Sequence, residues 1–158
     1  MSLATKCVSA SRDCFIINFS VTIEKLLVNK NAANAEKTIT EFLCKSFNGG
    51  SDLDEALTEC LRLMENDPAF YRSDVLCVTD GKVKYSQSLI DLIRNRKKHE
   101  KNNFFELLVS TDYEDQYFNS EENYDLIDPM KLFDVIFKLN RDGNTLTEFR
   151  NNKIKAYY

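Results

Sequence analysis

Ser51-Asp-Leu-Asp-Glu-Ala-Leu-Thr-Glu-Cys-Leu-Arg-Leu-Met64, followed by Asp74-Val-Leu-Cys-Val-Thr79, is the stretch whose reading decides the fold. In the first segment Leu53, Ala56, Leu57, Cys60, Leu61 and Met64 recur at the spacing of one helical face. Ser51 to Asp54 opens that helix with a hydroxyl cap and early negative charge, both suited to the exposed N–H groups of a helix start. The second segment is a short, continuous apolar run ending at Asp80-Gly81, the pattern of a strand covered on both faces. A helix feeding such a strand predicts an α/β chain.

Working outward, the same alternation continues. Cys14 to Ser20 is a second almost unbroken apolar run, and Val21 to Val28 mixes Ile23, Leu26 and Val28 with charges, as a half-exposed antiparallel edge strand does. Asn34 to Phe47 places Ile39, Phe42, Leu43 and Phe47 on one helical face before Asn48-Gly49-Gly50 breaks the pattern. Ser86 to Lys98 reads as a further helix and Phe104 to Ser110 as a third core strand. Asp128-Pro129, a cap residue followed by proline, predicts a last helix carrying Leu132, Phe133, Ile136 and Phe137. The order implies a Rossmann-like, doubly wound, mostly parallel sheet with helices on both faces and one antiparallel edge strand. Ligands of such folds bind beyond the carboxyl ends of the strands, and three polar loops fall there: after Phe19, around Gly49 to Asp54, and at Thr79 to Gly81.

Bulk properties narrow the function. The 158 residues, 43% hydrophobic and 29% charged, suit one compact domain with its own core. A net charge of −4 with intermixed signs offers no basic stripe for phosphates, which argues against nucleic acid. The basic run Arg94 to Lys101 reads as a solvated helix end. Five cysteines, an odd number with no Cys-x-x-Cys pair, predict buried reduced thiols and a cytoplasmic protein. With His99 the sole histidine, zinc is not expected. No apolar run reaches the length of a membrane span, about 20 residues, and Met1 to Cys7 lacks the apolar stretch of a signal peptide.

Two places carry candidate chemistry. Gly49-Gly50-Ser51-Asp52 sets a hydroxyl and a carboxylate before a helix, with glycines allowing close backbone approach. Asp80, followed by Gly81, ends a strand. Such hard oxygens are what Mg²⁺ or Mn²⁺ prefers. Taken singly, Ser51 is explained as a helix cap and Asp80 as an ordinary turn carboxylate; their order and frame are what join them.

The string Phe47-Asn-Gly-Gly-Ser-Asp-Leu-Asp-Glu-Ala-Leu57 with Ser73-Asp-Val-Leu-Cys-Val-Thr-Asp-Gly81 resembles the second and third metal-site motifs of von Willebrand factor A (VWA) domains. Arg12 to Ser20, ending in Phe19-Ser20, is similar to that family's second strand, and the resemblance spans about Leu3 to Lys138. Within the family it is closest to cytoplasmic bacterial proteins of the CoxE/ViaA type, which work beside MoxR-class AAA+ ATPases. The resemblance implies a metal-ion-dependent adhesion site in which Ser51 replaces the usual threonine ligand and Asp80 is the third-segment carboxylate. Gly49, Gly50, Asp52 and Gly81 would shape its loops. The family's first strand and its D-x-S-x-S loop have no counterpart ahead of the helix that starts near Ser2, and Ser9-Ala-Ser11 lies downstream of that start. The chain therefore reads as a truncated VWA domain over 1–139 with a frayed tail over 140–158. Its metal binding is expected to be weak or absent, and a gap is expected between the Cys14–Ser20 and Asp74–Thr79 strands.

The implied function is a binding module, not an enzyme: an acidic side chain of a protein partner, with a MoxR-type AAA+ ATPase as the implied machine, completes the metal's coordination. A metal-free VWA remnant is the alternative. Phosphoryl transfer is disfavoured, because an acidic pair after the first strand and a glycine-rich phosphate loop are both missing. Tyr113 to Asp128, acidic and aromatic, reads as a surface loop beside the binding face.

Overall fold

A computed structural model describes residues 3–20, 22–45, 52–79, 85–109, 129–139, 145–150 and 153–157. The chain forms two compact units, Met1–Ala56 and Leu57–Tyr158. In the first, helix α1 (Leu3–Ser9) leads into strands β1 (Cys14–Phe19) and β2 (Ile23–Val28) and helix α2 (Ala35–Leu43). The two strands pair antiparallel from Cys14↔Val28 to Phe19↔Ile23. Val28, Ala35 and Ile39 are buried together, with Ala4, Val8, Cys14, Ile16 and Leu26 packed against them, so both helices and both strands contribute to one small core. The Asn18 side-chain amide donates to Phe42 O at 3.0 Å, fixing the end of α2 to β1.

Helix α3 (Leu53–Asn66) crosses from one unit's residues into the other's and begins where the apolar periodicity begins. The second unit continues with β3 (Val75–Thr79), α4 (Gln87–His99), β4 (Phe104–Val109), a single 3₁₀ turn (Pro129–Lys131), β5 (Val135–Leu139), β6 (Leu146–Arg150) and β7 (Lys153–Tyr157). These strands form one sheet in the order β3-β4-β5-β6-β7. The first three run parallel and the last two antiparallel. The molecule is thus α/β, a mixed sheet with a parallel core and a separate antiparallel pair, consistent with a Rossmann-like fold.

Helix α4 starts as the sequence requires: the Ser86 side chain accepts from Leu89 N at 3.2 Å, and Arg96, Lys97, Lys98 and His99 fill its last turn. Leu89, Ile90 and Ile93 are buried along its inner face. Lys97 Nζ reaches Leu132 O at 2.7 Å and Asp134 Oδ2 at 2.9 Å. Asp134 in turn accepts from Phe104 N and donates its own N–H to Phe104 O, which locks the start of β4 to the start of β5.

Several sequence expectations are corrected. The predicted last helix from Pro129 is one 3₁₀ turn, and Ile136 and Phe137 lie in β5. Pairing with β4 on one side and β6 on the other satisfies that backbone completely, and it outweighs the helical spacing of the apolar residues. Within the expected frayed tail, 146–150 and 153–157 are instead strands that pair antiparallel and continue the sheet. The β2 strand is antiparallel to β1 as expected, and within the five-stranded sheet β6 also runs against its neighbours β5 and β7.

Nor are β1 and β3 covered on both faces. Every residue of β1 is half-buried, and Leu76 and Val78 of β3 are 39% and 51% exposed. Among the described residues β1 pairs with β2 and β3 with β4, so each strand has one edge without a partner strand. The Tyr113–Asp128 segment lies outside the described residues.

Candidate functional site

Of the six residues singled out for a site, Asp52 falls within the described residues; Gly49, Gly50, Ser51, Asp80 and Gly81 lie outside them. Asp52 does two things. Its N–H donates to Ser20 O at 2.9 Å, which joins the entrance of α3 to the carboxyl end of β1. Its Oδ1 accepts from Glu55 N at 3.0 Å, the bond by which a cap residue satisfies a first-turn donor. The helix cap is therefore Asp52, one residue later than the Ser51 cap expected from sequence. Asp54 and Glu55 follow in the first turn, where negative charge is favoured by the helix dipole.

The structure thus brings together two of the three polar loops, the one after Phe19 and the one before α3. The third is reached through Thr79, the last residue of β3, buried at 8% exposure. Beside it lies a residue that the sequence reading missed. Glu106 stands in the middle of β4 opposite Cys77 and is 3% exposed. The Thr79 hydroxyl donates to Glu106 Oε1 at 3.3 Å. Burial pushes the Glu106 carboxyl up to about 7, against the smaller lowering effect of the Thr79 bond. Near neutral pH it both holds and releases a proton. Its signal in the sequence was the single charge inside Phe104-Phe-Glu-Leu-Leu-Val109, at a position that strand alternation turns toward the core.

The cysteines nearby are inert. Burial raises the Cys60 thiol to about 12, and burial with the Glu106 charge raises Cys77 further still.

For a divalent metal, Ser51 and Asp80 offer the right chemistry, hard neutral and anionic oxygens. Among the described residues no group of three or more His, Cys, Asp or Glu is placed to hold a metal ion. Asp52 Oδ1 is engaged at the helix start, so this carboxylate's observed part is structural. Among the described residues no helix is long and apolar enough to cross a membrane. No family model matches the chain, and searches of curated proteins and of solved structures return no similar protein.

Proposed function

We propose that this chain is a protein-interaction module of the VWA type, acting in the cytoplasm and making or breaking no covalent bond. Its binding face is formed by the loops at the carboxyl ends of the strands. Ser51 and Asp80 would hold Mg²⁺ or Mn²⁺, weakly while the D-x-S-x-S ligands are missing, and the ion, when bound, supplies an open coordination position for an acidic side chain of a partner. A MoxR-type AAA+ ATPase is the partner that the resemblance favours.

The observation that carries this reading is the bond from Asp52 N to Ser20 O. It ties Asp52, at the entrance of α3, to the carboxyl end of β1, one of the strand ends from which the proposed binding face is built. It also goes with a cap role held by Asp52, so helix capping no longer accounts for a serine at 51.

A metal-free interaction domain is the second reading, and one observation favours it. Leu76 and Val78 present apolar side chains on a strand that, among the described residues, pairs on one edge only, a surface suited to an added strand. Calorimetric titration of a purified MoxR-type ATPase separates the two. The metal-dependent reading expects binding in Mg²⁺ that is lost in EDTA and in Asp80→Ala, and kept in Val78→Lys. Binding that ignores EDTA and Asp80→Ala but fails with Val78→Lys selects the metal-free reading.

A further inference from the structure

Outside the loops just discussed, the first unit holds two cysteines on neighbouring elements. Cys7 lies on α1 and Cys14 opens β1, and both are half-buried. The chain turns sharply between them. Ser11 takes a left-handed backbone, φ 56°, and Arg12 N donates to Cys7 O at 3.0 Å, folding the strand's approach back along the helix. Cys14 packs with Ala4 and Val8 of α1 against the same buried core, which holds its side chain on the helix side of β1. Cys7, next to Val8 and one turn from Ala4 on that helix, is near enough to Cys14 to help raise its thiol pKa.

We propose that Cys7 and Cys14 form a reversible disulfide, a redox-sensitive clip that fastens α1 onto β1. The oxidant belongs to the class of low-molecular-weight disulfides. Cys7 Sγ attacks one sulfur of that disulfide, forming a mixed disulfide and expelling one small thiol. Cys14 Sγ then attacks Cys7 Sγ, and the second small thiol leaves. Two protein thiols lose two electrons, the small disulfide gains them, and the two thiol protons end on the two released thiols.

The order of events follows from the surroundings. Burial and the Cys7 neighbour push the Cys14 thiol up to about 11, which suits it to act second, as the resolving partner. The other cysteines serve as internal controls. Cys44 is exposed, and Cys60 and Cys77 lie in the second unit with thiols held protonated by burial. Closing the ring from 7 to 14 restricts the unfolded chain and so stabilises the folded one. The proposal is independent of the metal and of the partner.

The test uses the folded full chain incubated with oxidised glutathione, trapped by alkylation and digested with trypsin. Cleavage after Lys6, Arg12 and Lys25 separates the two cysteines onto peptides 7–12 and 13–25. The expected result is a linked 7–12/13–25 pair, reversed by dithiothreitol, together with a melting midpoint several degrees higher than that of the reduced chain. Cys7→Ser and Cys14→Ser, both mild changes at half-buried positions, abolish the linked peptide and the shift. The inference is overturned if residues 7 and 14 emerge separately alkylated or as separate glutathione adducts. It is equally overturned if the linked pair forms with no change in midpoint.

Discussion

Deprotonation of Glu106 leaves a carboxylate that is 3% exposed, with the Thr79 hydroxyl donating to it. The folded state therefore binds this proton more tightly than the unfolded chain does, its pKa rising from 4.5 to about 7. The resulting stabilisation is fully present below the unfolded value and is lost as pH climbs through the folded one. Urea unfolding at a series of pH values should show stability falling by about 3 kcal/mol between pH ~4.5 and ~7.5 from this group. Glu106→Gln keeps a hydrogen-bonding partner for Thr79 without the charge, so it should flatten that slope and raise stability above neutral pH. A Gln variant with the wild-type slope would show that other groups set it. Asp52→Ala removes the α3 cap and should cost about 1 kcal/mol in the same assay; Asp52→Ser, which can cap, should recover most of it. Sequence placed this helix start one residue early because Ser51 and Asp52 are both good caps. Local spacing does not say which of the two has its amide bonded to Ser20. Glu106 escaped notice for a different reason: a lone charge in an apolar run counts as burial only once the strand's face is known.

At the scale of elements, periodicity located α3, α4, β2, β3 and β4 to within a few residues, because each buries one definite face or run. It failed for β5. Val135-Ile-Phe-Lys-Leu139 follows Leu132-Phe133 at a spacing a helix also accepts, and the choice was made by its flanking strands β4 and β6, the second of which the sequence does not mark. The core position of this strand predicts that Ile136→Ala, at a site with 0% exposure, costs about 2–5 kcal/mol. Val78→Thr, on the exposed face of β3, should change stability by less than about 0.5 kcal/mol in matched denaturation curves. Equal effects at the two positions would contradict the placement of β3 at the sheet's margin. The two margins also differ in chemistry. β7 carries Lys153 and Lys155, the charges by which edge strands resist unwanted pairing, whereas Val75-Leu-Cys-Val-Thr79 has none.

For the whole molecule, the α/β class was legible because strands and helices alternate, and the parallel β3-β4 pair follows from that alternation. The division into a two-stranded and a five-stranded sheet is the larger point. Among the described residues β1 has a partner strand on one edge, and so has β3. The reading as a VWA-type module makes a definite demand here: supplying the strand and its D-x-S-x-S loop should both stabilise the chain and complete the metal ligands. The most direct measurement is therefore thermal unfolding in EDTA and in millimolar Mg²⁺, with and without such a segment fused ahead of Leu3. The account predicts a higher midpoint for the fused chain and a further Mg²⁺-dependent rise that Asp80→Ala abolishes. A fused chain whose midpoint is unchanged, in Mg²⁺ as in EDTA, would contradict it.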